Sequence, residues 1–257
     1  MKKSRKGKLL LGLALIGALL AGEFYHIKNY TRNQNQREEI MTSVTGKGTQ
    51  KQKVVYLTFD DGPSVLTEEY LNVLKKHEVK ATFFLIGQQI QGDMKRVVER
   101  EIQEGHEIGV HTYSHKSGEI YQSADSYYQD VKQVQNLLSK EFRYQASVWR
   151  FPWGSANCYI GGFKNDIVGR LQKENMDYVD WNVSAEDSVG TPSTATIIEN
   201  IKKDCFRVEE PVILMHDSNC NQMTLEALEE VIVMLKEEGY EFATISERKE
   251  KCQFGGR

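Results

Sequence analysis

The sequence has no basic patch of the kind that binds nucleic acid, and its formal net charge is −3. Its uncharged N-terminal run, residues 9–22, is short for a membrane span, which needs ~20 apolar residues. No glycine-rich phosphate loop follows the first strand-like run, which argues against a nucleotide-binding doubly wound fold. The four cysteines, Cys158, Cys205, Cys220 and Cys252, match no zinc-knuckle spacing. There is no HExxH stretch of the zincin type. What remains is ordinary globular composition, 40% hydrophobic and 27% charged over 257 residues, enough for one sizeable core.

Charge is unevenly placed. Lys2, Lys3, Arg5, Lys6 and Lys8 precede the uncharged run, and residues 1–22 contain no acid. A basic start followed by an uncharged stretch is the order of a secretory signal. Cleavage after Ala21 or Gly22 would leave a leucine at the −3 position, so neither is a small-x-small site. Residues 1–27 are therefore expected to be a signal peptide or an uncleaved N-terminal membrane anchor. The remainder is expected to be extracellular or at the cell surface. Residues 28–53 are polar, without apolar period, and read as a linker or stalk.

From residue 54 the hydrophobic period switches repeatedly between 2 and 3.6. Strand-like runs fall at 54–60, 81–87, 107–112, 147–152, 178–183, 211–217 and 241–246. Helical patterns fall at 67–77, 94–104, 125–142, 163–174, 193–203 and 224–238. Alternation of this kind predicts parallel strands joined by right-handed crossovers, as an open doubly wound sheet or a barrel. In both, functional groups belong at the C-terminal ends of the strands.

The ionisable residues collect there. Asp60 and Asp61 end the first strand in 56-YLTFDDGPS-64, and His111 ends the third, with His115 following in 111-HTYSH-115. Arg150 ends the fourth in 150-RFPWG-154, and His216 and Asp217 end the sixth in 212-VILMHD-217. Two histidines four apart would share one face of a helical turn, which suits a metal. Two adjacent carboxylates repel unless one takes a proton or a cation lies between them. Because neighbouring strand residues point in different directions, only one Asp need face the cation, and the other stays free to act as a base. Two neutral imidazoles and one carboxylate leave open positions for water and substrate.

In this order, over residues 54–247, the TFDDG, HxxxH, RxPxG and LxxHD-type motifs resemble those of the polysaccharide deacetylases, carbohydrate esterase family 4. The resemblance implies an α/β fold, a distorted (β/α) barrel with about seven parallel strands, as a catalytic domain over residues 54–250. It implies metal-dependent removal of acetyl groups from acetylated sugars. It implies Asp61, His111 and His115 as metal ligands, Asp60 as general base, Arg150 as the group that orients Asp60, and His216 as general acid. Leu214 would line the pocket for the acetyl methyl, and the Trp153 backbone N–H would help bind the oxyanion. Zn²⁺ is the default for this ligand set, with Co²⁺, Ni²⁺, Mn²⁺ or Fe²⁺ as substitutes.

Family members often carry an acid that orients the catalytic histidine. Here 181-WNVSAED-187 has Ser184 at the aligned position, and Asp187 is the expected partner of His216. An even number of cysteines in an exported chain permits disulfides. Their places relative to the strands predict the pairs Cys158–Cys220 and Cys205–Cys252. The substrate expected is peptidoglycan, deacetylated at N-acetylglucosamine. Alternatives are chitin oligomers, poly-N-acetylglucosamine or acetylated xylan, a non-catalytic glycan-binding protein, and a non-haem iron oxygenase.

Overall fold

The computed structural model of the protein describes residues 52–255, so the expectations for residues 1–27 and for nearly all of 28–53 lie outside the described residues. No helix among the described residues is long and apolar enough to cross a membrane.

The strands are β1 (Lys53–Gly62), β2 (Thr82–Leu85), β3 (Glu107–Val110), β4 (Val148–Trp149), β5 (Asp177–Tyr178), β6 (Val183–Ser184), β7 (Val212–His216) and β8 (Tyr240–Phe242). The helices are α1 (Thr67–Lys76), α2 (Met94–Gln103), the single-turn α3 (Ser117–Ile120), α4 (Ala124–Phe142), α5 (Lys164–Gln172), α6 (Thr194–Cys205) and α7 (Gln222–Glu237). Seven strands run in the order β5-β4-β3-β2-β1-β7-β6, and β8 pairs with the start of β1. Every ladder is parallel. The sheet curls into the distorted (β/α) barrel expected from the motifs, with β5 and β6 as its unjoined edges.

Strand periodicity divides the side chains between two faces. On β1, Val55, Leu57 and Phe59 join the main apolar cluster beneath the helices, while Tyr56 belongs to a smaller one. That smaller cluster, with Phe84, Val148, Val179, Val212 and Ile245, fills the inside of the curl. By the same alternation Thr58 and Asp60 follow Tyr56 inward, His216 follows Val212, and Arg150 follows Val148. His111 shares its parity with Gly109, where an added Cβ would lie 2.5 Å from the Phe84 ring. The inner face thus begins apolar and ends in charge at the C-terminal rim.

Two expectations need correction. The strand expected at 178–183 is two short strands on opposite edges of the sheet. Between them the chain crosses the seam: Val179 N–H still bonds to Trp149 O and Asn182 N–H to Val212 O, while the Arg150 guanidinium takes the carbonyls of Val179 and Asp180 (3.2 and 3.0 Å). The pairs Cys158–Cys220 and Cys205–Cys252 are not formed; all four cysteines are free. Cys205 is buried in the main cluster, whereas Cys252 packs against the smaller one. The Cys158 loop packs around Tyr121 and Trp153, on the His115 flank of the rim, and Cys220 lies in the turn Ser218–Asn221, on the Asp187 flank.

Candidate active site

Parity would turn Asp61 away from the inner face. A bulge prevents this: the β1–β2 register slips between Asp60 and Gly62, and Asp61 adopts φ 73°. Its carbonyl accepts from Gln89 Nε2 at 2.9 Å, which holds the turn. Both carboxylates therefore face the same space.

His111 and His115 do not share a helical turn. They bracket a loop in which Thr112 and His115 have φ of 68° and 53°. Asp130 on α4 ties this loop down, accepting from the backbone N–H groups of Tyr113 and Ser114. Left-handed backbone at non-glycine residues costs on the order of 1–3 kcal/mol each and persists only where surrounding contacts enforce it. It occurs at eight non-glycine positions among the described residues, and four of them, Asp61, Thr112, His115 and Trp153, gather on this rim.

The loop brings one ligand atom each from Asp61, His111 and His115 within 4.8 Å of one another. Asp61 Oδ1 lies 3.5 Å from His111 Nε2 and 3.3 Å from His115 Nε2. That oxygen is buried and has no hydrogen-bond partner among the described residues. A buried, orphaned carboxylate oxygen facing two imidazole nitrogens fits a divalent cation. The His111 Nδ1 donates to the Arg150 carbonyl at 3.1 Å, which directs the Nε2 lone pair at the site. Burial first, and then the neighbouring His115, hold the His111 pKa well below its ordinary value, so the ring is neutral as a ligand must be.

Asp60 is 3% exposed and stands apart from this trio. Its Oδ1 accepts from Arg150 Nη1 at 2.8 Å, and its Oδ2 is 3.7 Å from His111 Nε2. Burial raises its pKa, with the Arg150 charge and hydrogen bond pulling the other way. Arg150 is wholly buried. It also donates to Thr58 Oγ1 at 2.8 Å and lies 4.2 Å over the Phe84 ring, so it plugs the barrel beneath Asp60.

Opposite, His216 Nδ1 meets Asp187 Oδ1 at 2.8 Å. Asp187 Oδ2 accepts from the His216 backbone N–H and from Thr224 Oγ1, each at 2.8 Å. Burial alone would lower the His216 pKa. The Asp187 hydrogen bond and charge, joined by Asp60 and Asp61, overcome it and raise the value to about 9. Ser184 stands at a strand position of β6 and donates no bond to His216. Leu214 is buried yet belongs to neither apolar cluster, on the same strand face as His216. The Trp153 N–H donates to no group among the described residues.

Three supports went unread in the sequence. Asp217 is buried, accepts from Ser64 Oγ and Thr67 Oγ1, and braces the turn after Asp61; burial pushes its pKa up to about 6. Asp180 is buried, holds Ser155 and the Phe254 N–H, and gives its carbonyl to Arg150. Thr58 is a polar residue at an inward position of a buried strand, a signal that period-2 alternation already offered.

A polysaccharide deacetylase family model matches residues 47–168. A peptidoglycan-N-acetylglucosamine deacetylase of Bacillus cereus is 35% identical over 202 residues, covering 77% of this chain and 71% of that one. A bifunctional xylanase/deacetylase of Pseudobutyrivibrio xylanivorans is 32% identical over 203 residues, 79% of this chain and 31% of that one. The solved catalytic domain of a peptidoglycan N-acetylglucosamine deacetylase from Eubacterium rectale superposes with a TM-score of 0.74 at 30% identity, covering 80% and 94% of the two chains. With the fold, the motif order and these relatives in agreement, the chain belongs to the polysaccharide deacetylase family, carbohydrate esterase family 4.

Proposed function

We propose that the protein is a metal-dependent hydrolase that removes N-acetyl groups from N-acetylglucosamine units of cell-wall peptidoglycan. One observation carries the reading: the buried, unpartnered Asp61 Oδ1 faces His111 and His115, while a second buried carboxylate, Asp60, stays outside the trio. Relatives named for peptidoglycan support the substrate. The basic, then uncharged, N-terminal segment supports action outside the cell membrane.

Asp61, His111 and His115 would hold the cation, which when bound supplies Lewis-acid polarisation of the acetyl carbonyl and acidifies water at its open position. Asp60 takes the proton of the attacking water through Oδ2, since Oδ1 is engaged by Arg150. Its raised pKa brings it closer to neutrality, where a base combines ionisation with affinity for a proton. The free Trp153 N–H donates to the developing oxyanion. Leu214 packs on the acetyl methyl. His216, its Nδ1 held by Asp187, donates from Nε2 to the departing amine, which cannot leave as an anion. The products are acetate and a free glucosamine amine.

Acetate release from purified peptidoglycan and from N-acetylglucosamine oligomers, with and without added metal, tests this. Activity is expected with metal and is lost in Asp60→Asn. Undiminished release from that variant, or after rigorous chelation, counts against the reading. A xylan acetyl ester is the second substrate, favoured by the xylanase-linked relative; release from acetylated xylan but from no N-acetylated glycan would select it.

A further inference from the structure

Three large aromatic side chains are exposed among the described residues. Phe206 is one, at the end of α6, where it stacks on Tyr240. The other two, Trp153 and Tyr159, are each 48% exposed and lie together on the loop after β4. The His115 and Trp153 ring centroids are 4.9 Å apart, and those of Trp153 and Tyr159 are 5.3 Å apart. Tyr159 is therefore one aromatic ring further from the catalytic centre than the residue that borders it.

Its position is built, not incidental. Asn157 accepts from the backbone N–H groups of Tyr159 and Ile160 at 2.9 and 3.1 Å. The Asn157 amide donates to Tyr121 Oη, Pro152 O and Gly154 O. Tyr121 is buried, donates to Pro152 O at 2.9 Å, and lies parallel to Tyr159 with 11° between planes and 6.1 Å between centroids. Tyr159 is thus backed on one side and open on the other. Such a ring is fixed before any ligand arrives, so little ordering cost is charged to binding. An open aromatic face is suited to the C–H face of a pyranose, an apolar surface on an otherwise polar molecule.

We propose that Tyr159 is a stacking platform that seats the glycan ring adjacent to the one undergoing deacetylation. The inference rests on the glycan reading above and extends it: the preferred substrate is an oligomer or polymer rather than a single sugar. The reaction itself is unchanged; Tyr159 acts on binding of the longer chain.

The test measures acetate release from N-acetylglucosamine oligomers of two to five units by the parent, Tyr159→Ala, Tyr159→Phe and Tyr159→Trp. In the parent, kcat/KM rises with chain length. In Tyr159→Ala the ratio of kcat/KM for the longest to the shortest oligomer falls about tenfold, through KM, equivalent to about 1.4 kcal/mol. Tyr159→Phe and Tyr159→Trp keep the parent ratio, because the ring and not the hydroxyl does the binding. A second arm uses the Asp60→Asn protein and follows fluorescence quenching by the same oligomers, with and without Tyr159→Ala. It reports binding even if no oligomer is hydrolysed, so failure of the glycan reaction and failure of the platform are read separately. A length-independent loss in Tyr159→Ala, unchanged affinity in the second arm, or no oligomer binding at all would overturn the proposal.

Discussion

Asp187→Asn separates a charge-setting role from a merely structural one. Asp187 is buried and makes two of its three 2.8 Å contacts with one residue, at the ring Nδ1 and the backbone N–H of His216. With it, the His216 pKa stands at about 9. Without its hydrogen bond and charge the value falls to ~6.5, the ordinary value for histidine, because burial pulls it down while the Asp60 and Asp61 charges still pull it up. A general acid must carry its proton when substrate binds. The protonated fraction at pH 8 then drops from about nine-tenths to about one-thirtieth, a loss of ~30-fold; at pH 7 the loss is ~4-fold, and at pH 6 it is slight. The asparagine also keeps only one acceptor oxygen. If that oxygen serves the backbone N–H and Thr224 Oγ1, the amide NH₂ faces Nδ1 and drives the neutral ring to the opposite tautomer. The assay is kcat/KM against pH, whose basic limb reports this acid in the free enzyme. The limb is expected to move from about pH 9 toward acid in the variant. Stability offers a second reading. A raised histidine pKa contributes stability that is fully present below the unfolded value of ~6.5 and is lost as pH rises through the folded value, so the variant's deficit is largest in acid and shrinks as pH rises. A uniform fall in kcat/KM at every pH, with the basic limb unmoved, would refute the assignment.

Three further outcomes are expected. His115→Ala removes one of three ligands and weakens zinc binding by more than the 10–100-fold typical of losing an outer partner, read by titration calorimetry; unchanged affinity would dismiss the site. Arg150→Met leaves Asp60 buried without its counter-ion and lowers stability by about 3–5 kcal/mol in urea denaturation, with loss of acetate release. Glu101 is fully buried with neither oxygen partnered among the described residues, and burial holds its pKa well above normal. Its stabilising contribution is present below the unfolded pKa and declines as pH rises toward the folded one. Glu101→Gln is therefore expected to flatten that decline and be the more stable protein at pH 8; an identical pH–stability curve would contradict it.

Much of this architecture was legible because it obeys a period of two. Tyr56, Thr58 and Asp60 alternate with Val55, Leu57 and Phe59, and that alternation alone sends Asp60 inward. The rim placement of His111, Arg150 and His216 followed from where the apolar runs stop. The turn of Asp61 was not legible, since it depends on a bulge and a left-handed backbone. Nor was the loop at Thr112 and His115: four-residue spacing suggests a helical face, but Asp130 on a distant helix dictates the geometry. The strands on either side of residues 179–182 are two residues each, too short to show a period. Cysteine spacing carries no distance information, so partners chosen by rim alone went unmet. Asp187 outcompetes Ser184 for His216 because a loop, unlike a strand, can turn its carboxylate back onto the strand end.

Strand β1 has neighbours along its whole length, β8 at its start and β2 and β7 further on, and it delivers both aspartates. The clamp on Arg150, by contrast, is drawn from the seam between two edge strands. Amide deuteration should therefore reach residues 177–184 long before it reaches residues 55–60, because edge segments open at lower free energy than a central strand. On warming, the guanidinium would lose its anchors while the aspartates were still in register. Catalysis would fade ahead of global melting and return on cooling, an inactivation curve displaced to lower temperature than the unfolding curve.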